Sequence, residues 1–128
     1  MDTDIRAKKI ILTADDEDSL RRVMHAALSH AGYDVIEAKN GQEAVTSARE
    51  HHPDLILLDI MMPVMDGREA LRILRETEET THIPVILLTN ISDMDYVAEV
   101  TAYPHVDYLV KADMSITDVV KKIDERLT

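Results

Sequence analysis

Five side chains in this sequence have chemistry to offer if the fold gathers them: Asp15, Asp16, Asp59, Thr89 and Lys111. Three carboxylates brought close repel one another unless a cation sits among them. An all-oxygen site with room for water suits Mg²⁺, which uses few protein carboxylates and favours phosphate as a further ligand. A lysine ammonium and a threonine hydroxyl facing such a site suit a phosphoryl group. Taken singly, each residue has a plainer role. Asp15 or Asp16 can cap a helix, Thr89 can merely end a strand, and Lys111 can be a solvated charge. Capping needs only one acid, however, and asks for no lysine opposite.

The elements that would position these residues are readable from the pattern. The stretch Asp54-Leu-Ile-Leu-Leu-Asp59-Ile-Met-Met-Pro63-Val-Met-Asp66-Gly67 starts as an apolar run bounded by His52-Pro53, the mark of a strand buried on both faces. It ends in a carboxylate, and a buried carboxylate is costly unless it has partners or a task. Pro63 and Gly67 punctuate the loop that follows, and Asp66 with Glu69 predicts a capped helix from Gly67 to about Glu76.

Earlier in the chain, Lys8–Ala14 reads as the first strand, leading into Asp15-Asp16-Glu17-Asp18. A helix is predicted over 18–31, with Leu20, Val23, Met24, Ala27, Leu28 and Ala31 facing inward and Gly32 stopping it. Tyr33–Ala38 is the second strand, and Asn40 caps a second helix to about His51 with Ala44, Val45 and Ala48 inward. Ile83–Leu88 is the fourth strand and leads to Thr89. Ser92 with Asp95 predicts a capping box opening a fourth helix to about Ala102. Val106–Val110 is the fifth strand and leads to Lys111. Ser115 and Asp118 cap a last helix whose inner face is Ile116, Val119, Val120, Ile123 and Leu127.

Strand and helix thus alternate five times with short connections, which predicts an α/β fold: a doubly wound five-stranded parallel sheet with helices on both faces. Ligands of such sheets bind at the carboxyl ends of the strands, near the point where strand order reverses. With the order 2-1-3-4-5, one of the common ones, strands one and three are neighbours and Asp15, Asp16 and Asp59 converge.

Composition bounds the function. The chain has 128 residues, one domain's worth, and 45% of them are apolar. With 14 basic and 25 acidic residues the net charge is −11, which argues against nucleic acid as a direct ligand. Cysteine is absent, so thiolate metal sites and disulfides are excluded. No apolar run approaches the ~20 residues of a membrane span, and the charged start is unlike a signal peptide. The expectation is a cytoplasmic protein with a loose tail at 1–7 and one domain at 8–128. Six histidines are spread without metal-site spacing: His25 and His30 share no helical face, and His51-His52 sits at a helix end where the dipole favours a cation.

The Asp15-Asp16 pair, Asp59 in LLDIMMPVMDG, Thr89 in ILLTN, and Tyr108 three residues before Lys111 in DYLVK together resemble the receiver domain of a two-component response regulator, over about 8–127. The resemblance implies the flavodoxin-like receiver fold and a phosphorylation-dependent switch rather than a metabolic enzyme, one that catalyses its own phosphorylation and dephosphorylation. Asp59 matches the acceptor of a phosphoryl group from a histidine kinase or histidine phosphotransfer protein. Asp16, Asp59 and the backbone carbonyl of Met61 match ligands of Mg²⁺, for which Mn²⁺ can substitute, with Asp15 acting through a metal-bound water. Lys111 matches the lysine that pairs with phosphoryl oxygens, Thr89 the switch hydroxyl and Tyr108 the aromatic that follows it inward. The output partner would dock on the fourth helix, fifth strand and fifth helix.

The sequence departs from the family pattern at several points. Ala112 follows Lys111 where proline, often after a cis peptide, is usual; a cis Lys111-Ala112 bond would cost about 2.5–4 kcal/mol. A trans bond with a rearranged loop or a locally strained bond is therefore expected. Asn90 replaces a small residue, and Tyr103-Pro104-His105 replaces a Gly-containing turn. Met61 and Ile91 flank the site and are apolar, so neither can orient an attacking water, and a long-lived phosphoryl group is expected. A metal-dependent phosphohydrolase would want a second Asp where Met61 stands. A flavin mononucleotide carrier would want a Ser/Thr/Gly-rich loop where Asp15-Asp16-Glu17-Asp18 stands. A docking module that no longer phosphorylates stays open on Ala112 and Asn90.

Overall fold

Apolar residues on both faces of short strands require a cover of helices on each side, and the chain supplies it. The computed structural model describes residues 8–128, so the expected tail at 1–7 lies outside the described residues. Strands β1 (Ile10–Ala14), β2 (Asp34–Ala38), β3 (Leu55–Asp59), β4 (Val85–Thr89) and β5 (Val106–Val110) alternate with helices α1 (Asp18–His30), α2 (Gly41–His51), α3 (Gly67–Glu76), α4 (Met94–Val100) and α5 (Ile116–Leu127). The five strands pair in parallel in the order β2-β1-β3-β4-β5, as expected. Along β3 the side chains divide strictly by face. Ile56 and Leu58 join α2, α3 and α4 in one core, while Leu55 and Leu57 join α1 and α5 in the other. Each fully buried aliphatic side chain contributes roughly 1.5–3 kcal/mol relative to exposure, so β3, buried along its whole length, anchors the sheet.

Helix ends follow their sequence signals with one exception. Asn40, Asp66 and Ser115 each accept a backbone N–H of the first turn of α2, α3 and α5, and Ser115 with Asp118 forms a complete capping box. Gly32, at φ 101, closes the turn after α1 in a conformation that side chains disfavour. The exception is α4. Ser92 makes no cap; Ile91–Asp93 winds as a 3₁₀ turn and α4 begins at Met94 and ends at Val100, shorter than predicted. Only Val97 and Val100 of α4 are buried, and at 7 residues it is the shortest of the five helices.

In α1 the inward face also differs from expectation. Val23 is 49% exposed, whereas Arg21 is buried. The guanidinium takes the inner position because three acceptors await it there: the Asp15 carbonyl oxygen at 2.8 Å, Glu37 at 2.8 Å and Asp18 at 2.6 Å. No cis peptide occurs among the described residues, so Lys111-Ala112 is trans, and Lys111–Asp113 coils into a 3₁₀ turn, the rearranged loop of the two alternatives. Among the described residues no helix is long and apolar enough to cross a membrane.

Candidate functional site

The site lies at the carboxyl ends of β1, β3, β4 and β5, where the sequence places its polar residues. Asp59 is the last residue of β3 and Asp15 follows β1; each is 4% exposed, while Asp16 faces solvent. One oxygen from each of these three carboxylates lies within 4.8 Å of the others. Lys111, at the end of β5, brings its Nζ to 3.0 Å from Asp59 Oδ2 and 3.5 Å from Asp15 Oδ2. The convergence of three carboxylates and a lysine is thus realised.

The loop after β3 holds Asp59 in place. Ile60 turns back into the core, and Val64, at φ 68, sits in a three-residue turn closed by Met65 N–H on the Pro63 carbonyl at 2.7 Å. The chain then returns so closely that the Gly67 N–H donates to Ile60 O at 2.6 Å. A Cβ on Gly67 would lie 2.2 Å from the Asp59 carbonyl oxygen, so only glycine lets α3 begin there.

Charge at the site is frustrated. Burial, with the Asp15 carboxylate beside it, pushes the Asp59 carboxyl up to about 6 despite the pull of Lys111 and a backbone hydrogen bond from Met61. Burial would lower Lys111, but the Asp59 and Asp15 carboxylates hold it above its ordinary value. Asp15 Oδ1 accepts the Glu17 N–H at 2.9 Å, whereas Oδ2 is buried without a hydrogen-bond partner. A buried carboxylate oxygen in that condition, beside two other acids, fits a hard cation. The donor set is all oxygen, and it matches the ion inferred from the sequence.

Among the described residues the Thr89 and Tyr108 side chains make no hydrogen bond to this cluster. Thr89 is fully buried and its hydroxyl donates to the Asn90 carbonyl at 2.9 Å. Tyr108 is 37% exposed and lines a cavity of about 390 Å³ with Leu109, Met114 and Lys122. Met61 (50% exposed) and Ile91 (72% exposed) follow Asp59 and Thr89 and remain in solvent reach. Two residues beside the site are not signalled by the sequence. Arg21 reads there as a surface charge of α1, and only its proximity to the DDED run hints otherwise. His25, which shares no helical face with His30, meets Glu37 at 2.6 Å on the Arg21 side of the sheet edge.

The family described as the response regulator receiver domain matches residues 11–124. The chain belongs to this family. It is 36% identical over 124 residues to the probable transcriptional regulator ycf27 of Porphyridium aerugineum, covering 92% of this chain and 50% of that protein. Among solved structures, the chemotaxis response regulator CheY4 of Vibrio cholerae superposes with a TM-score of 0.85 at 29% identity, over 94% of this chain and all of that one. The receiver domain of the sensor histidine kinase PA1611 from Pseudomonas aeruginosa, with a magnesium ion coordinated in its active site cleft, gives 0.82 at 30% identity, covering 94% of this chain and 98% of that one. The chain spans only 34–50% of the length of the first curated relatives it matches. As a receiver domain of the two-component type, it belongs to phosphorylation-dependent signalling.

Proposed function

We propose that this receiver domain is switched by phosphorylation of Asp59, with the phosphoryl group supplied by a histidine kinase or histidine phosphotransfer protein. The observation that carries the reading is the buried Asp59 carboxylate held 3.0 Å from Lys111 Nζ, within 4.8 Å of two further carboxylates. Asp16, Asp59, the Met61 carbonyl and, through water, Asp15 would hold Mg²⁺ or Mn²⁺. Bound there, the ion supplies positive charge to the phosphoryl oxygens. An Asp59 oxygen forms the new P–O bond in line with the breaking P–N bond of a phosphohistidine. The electron pair of that bond stays on the imidazole nitrogen. Lys111 pairs with the phosphoryl oxygens as their charge shifts, and burial of Asp59 excludes competing water.

Phosphorylation gives the Thr89 hydroxyl a new acceptor in place of the Asn90 carbonyl. Tyr108, half out of the protein, follows into the space that Thr89 leaves. The resulting population shift is read by an output partner on the face made by α4, β5 and α5. The shortness of α4, held by two buried valines, supports this choice, because a short helix with few buried side chains is one that a modest free energy can move.

Intact mass after incubation with Mg²⁺ and acetyl phosphate tests the reading. A single phosphoryl adduct that requires Mg²⁺ and is missing in Asp59→Asn is expected. Absence of an adduct from both acetyl phosphate and a phosphorylated histidine kinase would instead leave a constitutive docking module.

A further inference from the structure

Arg21 connects the β1–α1 loop to the rest of the fold in a way that bears on the cation site. Asp15 has its backbone N–H on the Ala38 carbonyl at 3.1 Å and its carbonyl on Arg21 Nη1 at 2.8 Å. Its side-chain Oδ1 is taken by the Glu17 N–H. These three bonds leave Oδ2 as the free atom, directed toward Lys111 and the other acids. The carbonyl that Arg21 holds belongs to the peptide joining Asp15 to Asp16. No hydrogen bond among the described residues fixes the Asp16 side chain itself, so the orientation of that peptide sets where its carboxylate can reach. Arg21 is in turn fixed from two sides, by Glu37 of β2 through Nε and by Asp18 of α1 through Nη2. Glu37 stands in register with Thr13 of β1, so the fork is referenced to the sheet that carries Asp59.

We propose that Arg21 is a positioning residue for divalent-cation binding: its guanidinium fixes the Asp15-Asp16 peptide so that both carboxylates face Asp59. The inference rests on the reading of this edge as a Mg²⁺ site and assigns a group that never touches the ion. It also runs against simple electrostatics. Removing Arg21 deletes a positive charge near the acids and frees Asp18 and Glu37, and Coulomb attraction alone would then tighten cation binding. Loss of positioning weakens it, as loss of a group that orients a metal ligand commonly does. The sign of the change separates the two.

The test is calorimetric titration of MgCl₂ into the phosphate-free protein, well below its unfolding temperature, for wild type, Arg21→Gln and Arg21→Lys. About a tenfold weaker Mg²⁺ affinity is expected for Arg21→Gln, with a smaller loss for Arg21→Lys. The lysine keeps the charge but cannot bond the Asp15 carbonyl, Glu37 and Asp18 together. A merely structural arginine would lower the unfolding temperature and leave the Mg²⁺ affinity of the folded protein unchanged. Unchanged or tighter binding in Arg21→Gln would overturn the proposal. If that variant does not fold, wild-type affinity in Arg21→Lys would do the same. Wild-type protein that binds no Mg²⁺ would overturn this inference together with the cation-site reading. Normal wild-type binding that the variants share would overturn this inference alone.

Discussion

At the amino ends of β4 and β5 a buried guanidinium lies among carbonyl oxygens; at the opposite edge of the sheet, where β3 ends, a buried carboxylate lies beside a lysine and a second acid. Arg75, from the last turn of α3, donates to the carbonyls of Pro104 at 3.0 Å, Thr80 at 3.3 Å, Ile83 at 2.8 Å and His105 at 3.1 Å. It pairs with no carboxylate among the described residues, and burial, with Arg126 nearby, draws it down to about 10. It stays charged at neutral pH with each of its three nitrogens hydrogen-bonded. The Asp59 end is the converse: burial raises its carboxyl, Asp15 repels it, and Asp15 Oδ2 is left without a hydrogen-bond donor. Both ends bury charge, but only one is satisfied. A satisfied site fixes the structure, whereas an unsatisfied one leaves free energy for a ligand to release.

The comparison breaks first at Arg75. Arg75→Met keeps much of the apolar bulk but takes the guanidinium from four carbonyls, of which Thr80 and His105 keep a backbone N–H donor from Ile83 and Val85. A loss of about 3 kcal/mol is expected from the unfolding free energy in urea, mostly from the Ile83 and Pro104 carbonyls. The Tyr103-Pro104-His105 turn, with His105 at φ 60, should be the region that loosens, since two of the four acceptors lie in it. A loss below about 1 kcal/mol would mean that water replaces the guanidinium and that this end is not closed.

These two ends also differ in how far the sequence discloses them. The carboxyl end is readable because each of its residues ends an apolar run, and a charge at the end of a buried strand is costly without a partner or a task. The sheet order is a common one that the family resemblance implies and is not read from periodicity, whereas the α2, α3 and α5 caps are readable because capping is local. Arg75 is not. In sequence it is one of several charges on an amphipathic helix, and two of its acceptors come from a loop 29 and 30 residues further on. Arg21 is hidden in the same way, and helical spacing puts Val23 on the inner face instead. The Ser92-Asp95 pattern misleads because Ile91–Asp93 coils into a 3₁₀ turn before α4 starts. Local signals report local partners; long side chains that reach across elements are invisible to them.

The unsatisfied end can be probed by relieving it. The folded Asp59 carboxyl is raised from 3.8 to about 6. At pH 7 the charge therefore costs the native state roughly 3 kcal/mol, a net figure that already includes the pull of Lys111. Replacing Asp59 by Asn should stabilise the protein in EDTA at pH 7 by about 2 kcal/mol. A raised folded value means the native state holds the proton more tightly than the unfolded chain. The associated stability is fully present below pH 3.8 and is lost as pH rises through about 6. Wild type and Asp59→Asn should accordingly have similar urea midpoints near pH 4 and diverge up to pH 7. Excess Mg²⁺ should narrow the gap by binding the native wild type. Parallel profiles would show that the carboxyl end is as settled as the Arg75 end.

The smallest effect concerns how long the released state lasts. Hydrolysis of the phosphoryl group on Asp59 needs a water placed opposite the Asp59 oxygen, and a polar side chain at the rim could hold it. The two rim positions here, Met61 and Ile91, are 50% and 72% exposed, so a new side chain at either place has room and costs no core packing. Neither can accept or donate a strong hydrogen bond. In the double variant Met61→Asn/Ile91→Glu, an amide and a carboxylate would orient the attacking water, and dephosphorylation should quicken about tenfold, a barrier change of about 1.4 kcal/mol. Decay of the adduct by intact mass, after removal of the phosphodonor with Mg²⁺ retained, measures it. A rate that rises little or not at all would mean that water access is governed by the burial of Asp59 and by Lys111, not by the rim. In that case the burial and charge frustration at Asp59 would also protect the phosphoryl group proposed to form there.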